Sequence, residues 1–248
     1  GTSLQGGVNK IIFKNPAFKF LQVNHKYEDF VENIVRALME DVNGNLWVAT
    51  KGGQIKIYDN DFNEISPVFN FPFTPKGELV YNVYAMFQDS RGYIWLGSKG
   101  SGIAVSKGPV DRFTNNYGQI SFNRFQNIPG DTTSLCDNNI YSIDEDKDGK
   151  IWIGTYGGGI CYTMPGGYDE LKFNRINTTN SNLSNDMIRD LEVDSENNLW
   201  VATTFGLNKI RIENQEKAKA EIINYYHDPA IEGSINYNDI VHIYEDSE

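Results

Sequence analysis

Hydrophobic positions in this chain fall in short segments rich in Ile, Val, Tyr, Phe and Trp, separated by polar clusters of Gly, Asn and Asp. That is the grammar of strands and turns, not of helices. The clearest segment is Asp146-Lys147-Asp148-Gly149-Lys150-Ile151-Trp152-Ile153-Gly154-Thr155, a polar turn that runs into an apolar strand. It recurs at Asp41 to Thr50, Asp89 to Ser98 and Asp194 to Thr203, so all four tryptophans, Trp47, Trp95, Trp152 and Trp200, hold one equivalent position. They are spaced by 48, 57 and 48 residues, and the extra length of the middle interval falls around Gly108 to Gly118 and Pro129 to Ser134.

Four strands fit each repeat. The first is Val35 to Glu40, with equivalents starting at Val83, Ile140, Ile188 and Ile240. The second carries the tryptophan. A glycine turn such as Tyr156-Gly157-Gly158-Gly159 leads to the third, at Ile160 to Tyr162, Ile55 to Tyr58 and Leu207 to Ile212. The fourth is expected at Phe18 to Leu21, Ile120 to Phe125, Leu171 to Ile176 and Ile222 to Tyr226, and links through Ser134-Leu135, Asn182-Leu183 and Ser234-Ile235 return the chain. At the ends, residues 1–11 match Ala202 to Ile210, and Asp239 to Asp246 matches Asn139 to Asp146, so both ends are read as lying inside a repeat.

Units of about 40 to 50 residues with four antiparallel strands predict an all-β fold, a β-propeller of four-stranded blades. A blade is apolar on both faces and must stack on its neighbours. About five blade equivalents follow: the end of one blade at 1–30, blades at 31–78, 79–130, 131–180 and 181–230, and the start of the next at 231–248, all in one propeller region. The turn glycine is expected to take positive φ, with Asn197-Asn198 replacing it in the fourth repeat. Gly97 and Gly154, with Ala49 and Ala202 elsewhere, keep the backbone thin where blades converge.

Composition narrows the classes of function. The 248 residues, 40% hydrophobic and 13% aromatic, suffice for a buried core. A formal charge of -11 without a basic run repels a phosphate backbone, so nucleic acid is not an expected partner. No apolar run reaches the length of a membrane span and no signal peptide opens the chain, although Gly1 is not a natural start. The two cysteines, Cys136 and Cys161, allow one disulfide at most, and are read as two separate half-buried thiols.

The segments DSRGYIWLGSKGSGIAV at Asp89 to Val105, DKDGKIWIGTYGGGICY at Asp146 to Tyr162 and SLCDNNIYSIDED at Ser134 to Asp146 resemble the two-component regulator propeller repeat of bacterial hybrid two-component systems. The resemblance covers essentially the whole chain. It implies part of a seven-bladed propeller in the periplasmic sensor region of an inner-membrane histidine kinase/response regulator of gut bacteria. Such a region senses oligosaccharide fragments and signals to transcription of carbohydrate-utilisation genes. The implied partners are an oligosaccharide, further propeller and immunoglobulin-like domains of the same chain, and a second copy in a full-length homodimer.

Two turn motifs invite sharper chemistry. Asp144-Glu145-Asp146-Lys147-Asp148-Gly149 has the spacing of a calcium loop, but its closing position is Thr155 and the other turns lack the three acids, so a plain hairpin is expected. The same turn resembles the Asp-box hairpin of sialidases, and from it comes the alternative of a propeller glycosidase or polysaccharide lyase. Beside it stands a scaffold that binds protein through its edges. No nucleophile with its base, paired carboxylates or metal cluster stands out, and His25, His227 and His242 occupy unlike positions in the repeat. The segment is therefore read as non-catalytic, without cofactor or metal.

A binding site is expected on the loops at one end of the channel. The entry to the first strand contributes Asn33, Tyr81, Asn138, Asp186 and Asn238; the turn after the second contributes Lys51, Lys99, Tyr156 and Phe205. Aromatic faces suit sugar rings, and Lys or Asn suit hydroxyl and acid groups. Arg36 and Arg189, one residue into their first strands, join the list, although strand alternation could equally aim them between blades.

Overall fold

A computed structural model describes residues 33–65, 69–70, 82–114, 116–212 and 221–246. The strand expected at Phe18 to Leu21, the repeat match at residues 1–11, and Tyr81 and His25 lie outside the described residues.

Four antiparallel sheets follow one another, each made of four consecutive strands in sequence order. The first blade holds β1 (Val35–Glu40), β2 (Leu46–Thr50), β3 (Gln54–Tyr58) and β4 (Phe69–Asn70). The second holds β5 (Val83–Gln88), β6 (Ile94–Ser98), β7 (Ile103–Ser106) and β8 (Phe122–Phe125). The third holds β9 (Ile140–Glu145), β10 (Ile151–Thr155), β11 (Gly159–Thr163) and β12 (Asn174–Ile176). The fourth holds β13 (Ile188–Val193), β14 (Asn198–Thr203), β15 (Gly206–Arg211) and β16 (Ile222–Tyr225). The first strands β1, β5, β9 and β13 touch from blade to blade, so the blades converge along them.

The cores lie between blades because strand side chains alternate faces. On β6, Ile94 and Leu96 face back to the cluster holding Trp47 and Ile57, while Trp95 faces forward to Ile140, Ile151 and Ile153. On β10, Ile151 and Ile153 face back and Trp152 faces forward to Ile188, Leu199 and Val201. Trp47, Trp95 and Trp152 are fully buried. The seams are tight at the small residues: a Cβ on Gly97 would stand 2.5 Å from Ile140 Cγ2, and one on Gly154 would stand 2.8 Å from Ile188 Cγ2.

Each turn between first and second strands is closed by its aspartate. Asp146 Oδ1 accepts the N–H groups of Asp148 and Lys150, both at 3.0 Å, and Oδ2 accepts the Trp152 indole N–H at 2.9 Å. The indole bond recurs at Trp47–Asp41 (3.0 Å), Trp95–Asp89 (2.9 Å) and Trp200–Asp194 (2.8 Å). Gly149 stands at φ 80°, and at the equivalent place Asn197 takes φ 67°, as the sequence predicts. The bond to the indole is invisible in the repeat alone: the aspartate positions the buried tryptophan as well as shaping the turn.

Neighbouring blades are clasped at the same place. Tyr117, from the long segment between β7 and β8, donates its hydroxyl to Asp41 of the preceding blade at 2.9 Å. Tyr168 donates to Asp89 at 2.7 Å and stacks on Tyr93, with centroids 3.5 Å apart. The extra residues around Gly108 to Gly118 thus carry a blade-to-blade contact. A second clasp joins the end of each first strand to the preceding turn: Gln88 accepts the Val42 N–H, and Glu145 accepts the Ser90 N–H and hydroxyl.

Several expectations are corrected. Outer strands β8 and β12 are shorter than expected: Ile120 donates its N–H to Tyr117 in the turn before β8, and before β12 Phe173 donates its N–H to Thr133 outside the sheet and buries its ring between blades. Ile240 and the residues after it form no strand: the Ile240 N–H donates to the Thr203 carbonyl at 3.0 Å, but no ladder continues from it among the described residues. They still lie where a next first strand would: Ile243 donates its N–H to Asp190, and Glu245 accepts from Ser195 as Glu145 does from Ser90. Cys136 and Cys161 are not separate thiols but a disulfide, with Cα atoms 5.8 Å apart. The link before β9 runs directly over the middle of β11, a proximity that residues separated by 25 positions do not reveal.

Candidate functional site

The feature that gathers the expected binding residues is a set of four β-bulges. In every blade the pairing of first and second strands slips by one residue, between Val35 and Ala37, Val83 and Ala85, Ile140 and Ser142, and Ile188 and Asp190. The residue left over is Arg36, Tyr84, Tyr141 or Arg189. A bulge breaks strand alternation and re-aims its side chain, and such irregularities concentrate beside binding sites. The alternation argument that left Arg36 and Arg189 undecided therefore does not apply to them.

These side chains form a continuous row across the inner strands. The Arg36 guanidinium lies 5.2 Å from the Tyr84 ring centroid; Tyr84 and Tyr141 are 5.1 Å apart; Tyr141 stacks on Tyr156 at 5.0 Å; and the Arg189 guanidinium lies 5.3 Å from Tyr156. Lys99 Nζ lies 6.0 Å from Tyr84. Lys51, Lys99 and Tyr156 follow β2, β6 and β10, and each donates its N–H to the link before its own first strand. This bond holds the residue beside the bulge. Arg189 is further fixed by Asp239, Nε to Oδ1 3.2 Å, and that bond raises the guanidinium above its already high range despite partial burial. Arg36 Nε is buried without a hydrogen-bond partner among the described residues.

The row thus unites four residues singled out by sequence, Arg36, Lys99, Tyr156 and Arg189, while Lys51 holds in the first blade the chain position of Lys99. It adds Tyr84 and Tyr141. The signal for those two was present, since they stand one residue after Val83 and Ile140 as Arg36 stands after Val35.

The remaining candidates are occupied otherwise. Asn138 Oδ1 accepts the Asn127 N–H at 2.8 Å, and its backbone carbonyl accepts from Gly100 and Gly102. Asp186 takes the Thr178 N–H and hydroxyl, both at 2.8 Å, and its carbonyl accepts from Gly157 and Gly159. Asn238 accepts the His227 N–H at 2.7 Å. These three fasten the end of one blade's outer strand to the next link. Phe205 is one residue past the position of Lys99 and Tyr156, and its exposed ring sits 5.8 Å from Tyr226, beside the outer strand. Asn33 is half-buried.

The acidic turns offer no free carboxylate pair, since their oxygens hold the indole and turn N–H groups. Among the described residues no group of three or more His, Cys, Asp or Glu is placed to hold a metal ion. His227 Nδ1 lies 2.8 Å from the Ile235 carbonyl, and His242 Nδ1 contacts Asp190.

With this geometry in place, the sequence matches the two component regulator propeller family at residues 29–52, 77–100, 134–157 and 182–205. Each match runs from the link through the first strand and the tryptophan strand. Each of the four matched segments is similar to one repeat of that family. A curated relative, histidine kinase P4 of Formosa agariphila, is 24% identical over 246 residues, which cover 97% of this chain and 16% of that protein. Among solved structures, the extracellular domain of the hybrid two component system BT3049 from B. thetaiotaomicron superposes with TM-score 0.59 at 22% identity, over 88% of this chain and 25% of that one. Virginiamycin B lyase from Staphylococcus aureus superposes with TM-score 0.53 at 15% identity, over 79% of this chain and 56% of that one. At such identities both likenesses speak for the propeller fold alone. The chain spans about a sixth of the histidine kinase, and its superposed part about a quarter of the B. thetaiotaomicron chain. No helix among the described residues is long and apolar enough to cross a membrane.

Proposed function

We propose that this chain is part of the periplasmic ligand-sensing region of a hybrid two-component sensor kinase and that it recognises an oligosaccharide on the inner row of bulged residues. The observation that carries the reading is the unbroken run Arg36, Tyr84, Tyr141, Tyr156, Arg189, repeated by fold but varied in side chain. Because the rings lie against one another, the row offers a ligand tyrosine edges and hydroxyl groups together with guanidinium donors, which suit the hydroxyls of a chain of sugars. The repeat family and the histidine kinase relative support the sensor assignment. A disulfide belongs to an oxidising compartment, which supports a place outside the cytoplasm. In this reading binding shifts the packing against further propeller and immunoglobulin-like domains of the same chain, within a homodimer, and so the kinase equilibrium.

The test is calorimetric titration of the complete sensor ectodomain with a panel of glycan fragments, repeated with Tyr84→Ala and Tyr141→Ala. One glycan class is expected to bind, and each substitution to weaken it about tenfold, the scale of one lost hydrogen-bonding contact. Absence of binding across the panel, or binding indifferent to both substitutions, sinks the proposal. Turnover of the glycans would instead favour the lyase or glycosidase alternative.

A further inference from the structure

We infer that the ligand of the inner row is an anionic saccharide whose carboxylate or sulfate sits at the Arg36–Lys99 end. This deepens the proposal above and rests on the inner row being the ligand site. The row is chemically polarised. At its first end Arg36 and Lys99 flank the Tyr84 ring, at 5.2 and 6.0 Å from its centroid, and Lys51 holds in the first blade the chain position that Lys99 holds in the second. Among the described residues none of these three cations is paired with a carboxylate, although acids outnumber bases by 33 to 22 in the chain. At the other end Arg189 is neutralised by Asp239. The middle, Tyr141 on Tyr156, is uncharged and stacked.

Two cations against one aromatic ring, neither paired with a described carboxylate, repel each other, and an anion bound between them would relieve that repulsion. The Arg36 guanidinium, which no described carboxylate engages, would grip a carboxylate or sulfate through its terminal nitrogens. The sugar bearing the anion would lie between Arg36 and Lys99, and the following sugars would run along the edges of Tyr141 and Tyr156 towards the neutral Arg189–Asp239 pair.

The experiment titrates the complete ectodomain with three sets of matched oligosaccharides: uronate-containing, sulfated without uronate, and neutral. One anionic set is expected to bind, with an affinity that falls at least about tenfold between low and high salt as screening grows. Which anionic set binds distinguishes carboxylate from sulfate. Lys99 is exposed and touches no core, so Lys99→Gln leaves folding intact; it should weaken binding about tenfold, Lys99→Glu more, and Lys99→Arg should restore it. A neutral set that binds as tightly as the anionic ones, with no response to salt or to Lys99→Gln, overturns the anionic assignment and leaves the sensor reading standing. If no set binds, both fall.

Discussion

Asp146 shows how one side chain can build a fold while resembling a site. Its spacing with Asp144 and Asp148 is that of a cation loop, yet its two oxygens take two turn N–H groups and the Trp152 indole, and the side chain is buried. Truncation leaves a fully buried indole N–H unpaired and opens the turn. Asp146→Ala should therefore cost about 2 to 4 kcal/mol in urea unfolding, and Asp146→Asn less, since one acceptor remains. An alanine variant as stable as the parent would show that the turn holds itself. Asp144 is a different case. It pairs across the sheet with Trp152, where the two preceding blades carry Met39 and Phe87, and so a carboxyl occupies a largely apolar seam. Burial pushes it up to about 6, against the lowering effect of the N–H groups of Val193 and Glu145, and Glu192 and Asp190 nearby raise it further.

At the scale of the element, the second strand succeeds because one residue in every two is handed to a different blade. Gly97 and Gly154 mark where that arrangement leaves no room for a side chain. Gly154→Ala drives a methyl group into Ile188, and the expected loss is about 1 to 3 kcal/mol of stability by chemical denaturation. Adding Ile188→Val, which keeps Cγ2 but removes the Cδ1 methyl and so gives the side chain room to shift, should recover part of the loss; strictly additive effects of the two changes would place the clash elsewhere. The bulges belong to this scale too. They were not legible as bulges, because a one-residue slip in pairing leaves no mark on composition, and the residues they present differ from blade to blade.

At the scale of the whole molecule, stability resides in the seams. Buried tryptophans, tyrosine clasps and carboxylate-to-turn bonds all join one blade to the next, so the propeller responds as a unit to what happens in one seam. Asp144 predicts a pH signature of that kind. Its folded value of about 6 lies above the ordinary 3.8, so between these the folded state holds a proton that the unfolded chain releases. This group therefore favours folding below about pH 4 and loses that contribution as pH rises to about 6. Asp144→Asn stays neutral throughout. Urea midpoints measured from pH 4 to pH 7 should show the variant gaining on the parent across that window, and parallel profiles would contradict the buried carboxyl.

The sequence by itself determined the blade: the aspartate turn, the tryptophan strand, the glycine or Asn197 at positive φ, and the four-strand order are written in local pattern, and local pattern repeats. It also named Arg36, Lys99, Tyr156 and Arg189 without being able to say that they meet. Only the tertiary structure decided which loop residues join in a row and which, like Asn138 and Asp186, fasten one blade to the next. It likewise decided that Cys136 and Cys161 pair, that Tyr117 reaches back to Asp41, and that Tyr84 and Tyr141 complete the inner face. The reason is physical. Periodicity encodes what a residue does within its own hairpin, whereas strand register and the stacking of separate hairpins set distances between residues that lie tens of positions apart.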